Sequence, residues 1–314
     1  MPTITGGAGR YRRRLTPYTF MIPALIGLGL FLFYPLLSSI WFSFHRMHLV
    51  NLTQPPDFIG LDNWKFFFED PNVIRAAKNT LWFVVIMVPM RIVGALITAL
   101  LLNQAKRSRG FYRTLFYLPA LAPPVAATVA FVLLLKPGTG PVNTLLANIG
   151  IEGPLWFNDP LWAKPSLVLL GLWGIGDLMI IFVAALLDVP VELHEAAALD
   201  GAGVWQRFRY VTLPSISPVL QFAAITGVIG MLQYFTQAAV ASSVASGAVT
   251  GGGGIANTFG YPSGSTFTYP LYLYVISFGP RGLLGYASVL SVVLFVVAVT
   301  FTLILLRRFR TFLR

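Results

Sequence analysis

Six stretches of this sequence are apolar over about the length that a helix needs to cross a membrane: 17–44, 79–103, 112–135, 165–187, 214–240 and 282–306. A hydrocarbon core about 30 Å thick takes roughly 20 apolar residues in α-helix. Inside that core every backbone polar group must be satisfied within the chain, which leaves few options besides helices. The composition agrees, being 56% hydrophobic and 11% charged with a mean hydropathy of +0.74, outside the range of water-soluble domains. The expectation is an all-α polytopic membrane protein of six spanning helices, with residues 1–16 and 307–314 as polar tails. Arg10 and Arg12–Arg14 precede an apolar run from Pro17 to Phe44. That run is longer than the apolar part of a cleaved signal peptide, so it is expected to stay as an anchor.

Basic residues orient the spans. With the N-terminus inside, fourteen Lys and Arg fall on the inner side: Arg10, Arg12–Arg14, Lys106, Arg107, Arg109, Arg113, Arg207, Arg209, Arg307, Arg308, Arg310 and Arg314. Seven fall outside: Arg46, Lys65, Arg75, Lys78, Lys136, Lys164 and Arg281. Basic residues favour the cytoplasmic side, so both termini are expected there. The same placement explains the formal net charge of +11 as a topology signal beside membrane lipid, and no nucleic-acid partner is expected. The chain has no cysteine, which excludes disulfides and thiolate chemistry. His45, His48 and His194 are too scattered for a metal site.

The outer connections are the longer ones. Residues 45–78 carry Trp64, Phe66–Phe68 and four acids, and 136–164 are punctuated by Gly138, Gly140, Pro141, Pro154 and Pro160. Residues 241–265 are rich in Ser and Gly, including Gly251–Gly254, and read as a flexible loop. Tyr269 to Phe278 is apolar but too short to span, and reads as a helix at the membrane interface. Helix-breaking residues are dense within the spans: Pro23, Pro35, Pro89, Pro119, Pro123 and Pro124, with Gly171, Gly174 and Gly176 in the fourth. Membrane helices carry more Gly and Pro than soluble ones, yet the fourth-span cluster coincides with an acid inside the membrane.

Between the fourth and fifth spans runs Asp188-Val-Pro-Val-Glu-Leu-His-Glu195-Ala-Ala-Ala-Leu-Asp200-Gly201-Ala-Gly203, continuing through Arg207 and Arg209 to Leu213-Pro214. Pro190 suits the first turn of a helix, and Glu192 and Glu195 suit its positive end. Gly201 and Gly203 are expected to stop that helix and permit a sharp turn. A second amphipathic helix follows from about Val204, and Pro214 opens the next span. The product is a short helix–turn–helix displayed on the cytoplasmic face.

Glu195-Ala196-Ala197, then Asp200-Gly201-Ala202, then Leu213-Pro214 at this spacing resembles the EAA motif of ABC importer permeases. That resemblance implies the six-helix, MetI-like transmembrane fold of type I importers. It makes the first helix of the loop a coupling helix, which docks in a groove of a separate ATPase. Glu195 would then pair with a basic group on that ATPase, Ala196–Ala198 would allow close approach, and Gly201 would provide the turn. Phe58-Ile-Gly-Leu-Asp-Asn-Trp64 with Glu69-Asp70-Pro71, Arg113-Thr-Leu-Phe-Tyr-Leu-Pro119 and Gly285-Tyr-Ala-Ser288 resemble the first permease subunit of carbohydrate importers. The implied assembly is a heterodimer with a second homologous permease, two copies of the ATPase and an extracytoplasmic solute-binding protein, in the bacterial inner membrane. ATP and magnesium would be held by the ATPases, and no cofactor by this chain. The Ser/Gly-rich stretch after Thr236-Gln237 departs from many relatives, which have a short Gly-Gly-Pro turn there.

Only two charges fall deep inside the spans, Arg91 and Asp177, with Arg113 at the inner edge of the third. Each costs about 2.5–3.5 kcal/mol at a helix centre on insertion scales, so a partner or a wet cavity is expected. Two compatible readings stand: the two side chains pair and hold spans two and four together, or Asp177 faces a cavity and accepts hydrogen bonds from sugar hydroxyls. In the fifth span Gly227, Gly230, Met231 and Tyr234 share one helix face. Small residues in such a stripe let membrane helices approach. Similarity to the maltose-type permeases instead implies sugar contacts for these four, together with Gly174 and Asp177. Trp173 and Tyr234 are candidates to stack on a pyranose face, with Gln233 and Gln237 behind them. A membrane-embedded enzyme would need a polar cluster that is absent from the sequence. A channel would need a filter or charged ring, and ATP binding a phosphate loop. Glycerol phosphate or another small polar solute is the alternative cargo.

Overall fold

The computed structural model describes residues 20–51, 53–104, 108–248 and 258–312. The N-terminal arginines, Lys106, Arg107, Gly251–Gly254 and Arg314 lie outside the described residues. Three single helices are long and apolar enough to cross a membrane: α1 (Phe20–Phe42), α3 (Pro71–Gln104) and the stretch Leu284–Arg308 of α14 (Leu284–Phe312). Three bent pairs meet the same criterion together, which gives up to six spans. They are α4 (Gly110–Leu121) with α5 (Pro124–Leu134), α7 (Pro160–Trp173) with α8 (Gly176–Leu187), and α10 (Val204–Ser215) with α11 (Ser217–Leu232).

The bends are large, at 96°, 48° and 67° respectively, and each has a local cause. Before Pro123–Pro124 the helix tightens to a 3-10 turn at Leu118–Leu121, and Ala122 and Pro123 turn extended. At the second bend Gly174 ends α7 and Gly176 starts α8. A Cβ on Gly176 would lie 2.4 Å from the Phe116 carbonyl oxygen, so only glycine lets these two backbones meet. The third bend falls at Ile216, ahead of Ser217–Pro218. Pro214 therefore closes α10 and does not open the span, a shift from the sequence expectation. The fifth span also ends early: α11 stops at Leu232, Gln233–Phe235 are not helical, and a further helix α12 (Thr236–Ala245) follows. The first part of the Ser/Gly-rich stretch is thus helical.

α3 is 34 residues long, about 51 Å at the α-helical rise, so it extends well beyond the bilayer. Its Gln104 end shares a cavity with His194 and Arg207 of the 188–214 loop; this is the loop end, and the Pro71 end is the far end. Buried side chains stack in three levels along it. Ala95, Ala99, Met179 and Phe182 pack at the loop end. Phe83, Met87, Leu167 and Met231 fill the middle. Val73, Ala76, Tyr269, Tyr272, Tyr286 and Leu290 close the far end. α1 buries none of its apolar window and leaves Phe20 and Phe31 more than 80% exposed, as suits a surface for lipid or another chain.

The far end is capped by a two-stranded antiparallel ribbon, β1 (His45–Arg46) with β2 (Asp57–Phe58), and by α2 (Asp62–Glu69). Between them on the chain and α14 come α6 (Pro141–Asn148), α9 (Val191–Leu199) and α13 (Tyr269–Phe278). Asp70 is buried there. Its Oδ1 accepts from the backbone of Asn72 at 2.9 Å, capping α3. Its Oδ2 accepts from the hydroxyls of Tyr272 and Tyr286. Burial and the Asp70 carboxylate push the Tyr272 hydroxyl pKa up, so it stays a donor. One carboxylate thereby ties α3, α13 and α14 together.

Candidate functional site

The 188–214 loop is built as two short helices with an exposed turn. α9 follows Pro190, which stands at its N-cap and not in its first turn, with Glu192 in that turn, and none of its residues is buried. Its end is closed by bonds from the amides of Asp200 to Ala196 O (3.1 Å), Gly201 to Ala198 O (3.1 Å) and Ala202 to Ala197 O (2.9 Å). Gly201 has φ +79, the left-handed conformation that glycine adopts without strain at a helix end. Gly203, expected to share that task, is ordinary extended backbone (φ −67, ψ 172). Its amide donates to Gln206 Oε1 at 2.7 Å and so caps α10. Glu195, Ala196 and Asp200 are exposed and Ala197 is half-buried. Leu199 is 91% exposed and Trp205 72%, so the loop presents apolar as well as acidic groups. Leu213 is half-buried and Pro214 exposed at the bend into α11.

In the middle level the breaks converge. A cavity of about 310 Å³ is lined by Pro119–Ala120 and Ala122 from the first break, Trp173 and Gly174 from the second, and Gln233–Gln237 from the end of α11. Met87, Arg91, Asp177, Gly230 and Met231 also belong to its wall. Backbone groups freed by a helix break are tolerated at membrane depth only where protein or a wet cavity surrounds them. A second cavity of about 290 Å³ lies beside the first, and Arg91, Asp177 and Met231 belong to both walls. Arg91 Nη2 donates to Asp177 Oδ1 at 3.3 Å, and the Leu178 amide donates to the same oxygen at 2.7 Å. The Arg91 side chain is 26% exposed and that of Asp177 61%. Arg91 Nε is buried without a hydrogen-bond partner. The two charges therefore pair, and they do so at the edge of open space.

The structure separates residues that share one stripe in sequence. A Cβ on Gly227 would lie 3.0 Å from Val88 Cγ1, whereas one on Gly230 would meet nothing within 4 Å. Gly227 packs α11 against α3 and lines the second cavity, and Gly230 borders the first. The two aromatic candidates differ as well. The Tyr234 ring lies 5.1 Å from that of Phe83 and the residue is only 5% exposed. Trp173 rests one side near Phe131 and keeps 43% exposure. Gln233 and Gln237 both line the cavity. Met87, Phe235 and Thr236 are lining residues that the sequence does not single out. Met87 is one apolar residue among many in its span, while the other two adjoin a break that carries no proline or glycine.

Known proteins resemble this chain along nearly all its length. Residues 91–312 match the family described as the binding-protein-dependent transport system inner membrane component. The chain is 35% identical to a probable ABC transporter permease protein, YesP, of Bacillus subtilis over 298 residues, covering 93% of this chain and 90% of that protein. It is 34% identical to the lactose transport system permease protein LacF of Rhizobium radiobacter, covering 88% of each. A bacterial ABC transporter involved in alginate import has the same fold, with a TM-score of 0.78 at 24% identity over 98% of this chain and 99% of that one. The chain therefore belongs to the family of ABC transporter permeases that form the inner-membrane component of binding-protein-dependent transport systems. Its fold is the six-helix MetI-like type I importer fold. Members of this family are transport subunits and not enzymes.

Proposed function

We propose that this chain is the sugar-translocating permease of a binding-protein-dependent importer, and that its cargo crosses by way of the cavity at the three helix breaks. The observation that carries the reading is the gathering of Trp173, Gly174, Asp177, Gly230, Met231 and Tyr234 on one cavity wall. A sugar asks for an apolar face, donors and acceptors together. Trp173 offers a free ring face, Asp177 and the two glutamines offer polar groups, and Gly174 and Gly230 leave room. Arg91 is countered by Asp177 at 3.3 Å, so the wall has little uncompensated positive charge, which favours a neutral sugar over glycerol phosphate. Gly227 contributes by holding α11 on α3.

Transport is driven from the loop end. Glu195, Ala196, Ala197, Asp200 and Gly201 form the docking surface for a separate ATPase, and Leu213–Pro214 carry its movement through the bend into α11. ATP and magnesium are held by two copies of that partner. A second homologous permease completes the pathway, and an extracytoplasmic binding protein delivers the sugar at the far end. Relatives support this assignment: LacF is named for lactose transport, and a Thermococcus litoralis permease with 28% identity for trehalose and maltose. The test is uptake into proteoliposomes by the whole reconstituted importer, challenged with a panel of neutral di- and oligosaccharides and with glycerol phosphate. ATP-dependent uptake of a sugar that is lost in Trp173→Ala is the expected result. Uptake of glycerol phosphate alone, or sugar uptake indifferent to Trp173, overturns it.

A further inference from the structure

A larger cavity than the one at the breaks lies elsewhere among the described residues. It is an open crevice of about 440 Å³ between α3 and α14, under α13. Leu81, Val84, Val297 and Phe301 form its sides, with Leu232 at its floor. The polar groups on its wall are already committed. The Thr80 hydroxyl oxygen accepts from the Tyr269 amide at 2.8 Å, and the Tyr269 hydroxyl donates to Leu290 O at 3.0 Å. The crevice thus offers a long guest only apolar contact. Lys78 is part of its wall, exposed and outside both ion pairs of the described residues. It directly precedes the apolar stretch 79–103, which places its ammonium at headgroup level. From Lys78 the crevice runs along α3 to Val84, about 9 Å, which keeps that wall within the roughly 15 Å depth of one leaflet.

We infer that this crevice binds one acyl chain of an anionic phospholipid, whose phosphate-bearing headgroup is held by Lys78 in the leaflet at the far end. An apolar slot with a free ammonium on its wall matches the two halves of such a lipid. A neutral detergent satisfies only the slot, and a zwitterionic lipid brings the same phosphate with its charge offset by its own ammonium, so it is held less strongly. The site lies away from the sugar cavity and does not rest on the identity of the cargo.

The test uses the whole importer, purified from mixed phosphatidylglycerol and phosphatidylcholine vesicles and washed with detergent, with retained lipid read by native mass spectrometry. Wild type should keep about one phosphatidylglycerol per copy of this chain. Lys78→Ala should lower the phosphatidylglycerol-over-phosphatidylcholine ratio about fivefold without loss of assembly. Val297→Trp should fill the slot and remove both lipids. Because the chain has no cysteine, a Leu81→Cys variant gives a single reporter for a photoactivatable crosslinker. Attachment to lipid is expected, and attachment to another protein chain overturns the inference. Equal retention of the two lipids by wild type, or a ratio unmoved in Lys78→Ala, overturns it as well.

Discussion

Replacing Asp177 with Asn removes one negative charge and little else, because an amide oxygen can still accept from Arg91 and from Leu178. At 3.3 Å a fully formed pair would attract by roughly 4–5 kcal/mol at an effective dielectric of about 20. The Asp177 side chain is 61% exposed to the cavity, so water screens much of this, and about 1–2 kcal/mol of net destabilisation is expected. What remains is the charge on Arg91, only 26% exposed, with Nε already buried and unpartnered. Such an orphaned cation is what insertion scales put at about 2.5–3.5 kcal/mol in the fully membrane-exposed limit. The purified importer carrying Asp177→Asn should therefore melt a few degrees lower at a fixed scan rate. If Asp177 also accepts a sugar hydroxyl, uptake should fall about tenfold or more, since hydrogen bonds to charged groups are worth about 1.5–3 kcal/mol. The double variant Arg91→Met with Asp177→Leu separates the two roles. It removes both charges, so melting should return toward wild type while uptake stays low. Full recovery of uptake in the double variant would reduce the pair to a clamp between α3 and α8 and refute a role in the pathway.

Three further outcomes follow from the same geometry. Gly227→Ala forces a methyl to within 3.0 Å of Val88, an overpacking of about 1–3 kcal/mol that Val88→Ala should relieve. Gly230→Ala should leave the melting temperature unchanged and slow uptake of the larger sugars; equal stability losses at both glycines would contradict the division between packing and cavity. Gly201→Pro, or Glu195→Lys, should abolish ATP-dependent uptake and weaken ATPase association in pull-down, and the loop assignment fails if either variant retains both. Asp70→Ala orphans two buried tyrosine hydroxyls, at about 1–3 kcal/mol each, so it should lower the melting temperature more than Tyr272→Phe does; a smaller shift in Asp70→Ala would show that the hydroxyls find other partners.

The architecture was largely legible because the membrane allows so little. Apolar length locates helices, and Pro123–Pro124 and the Gly174–Gly176 pair mark two of the bends. The helix–turn–helix at 188–214 was readable because Pro190, Gly201 and the acids each have one dominant use in a helix end. Finer assignments failed where two residues of one type meet different surroundings. Gly203 looks like Gly201 on paper, yet only Gly201 takes a positive φ. Gly227 and Gly230 lie on one stripe, yet only Gly227 has a neighbour at contact distance. Periodicity gives the face of a helix and not what stands opposite it. The Asp70 cluster was hidden for the same reason: its partners lie 202 and 216 residues away. An Asp before Pro71 signals a helix cap, and nothing local signals the tyrosines.

The break after Leu232 explains why the cavity was visible from sequence only in part. Gln233, Tyr234 and Phe235 include no residue that must end a helix, so the apolar run reads as one span through 240. What sustains the break comes from elsewhere. The Tyr234 carbonyl accepts from the buried Thr268 hydroxyl at 2.8 Å, and the Tyr234 ring settles against Phe83. A helix can stop at membrane depth when its freed carbonyl finds such a donor, and Thr268 sits just ahead of α13, the helix tied to Asp70 through Tyr272. The far-end cluster and the cavity are thus mechanically joined through one short segment, 268–272. A rearrangement of α13 would pull on the carbonyl at the cavity wall beside Gln233 and Gln237. Pairing at the far end and the shape of the cavity are two readings of the same packing.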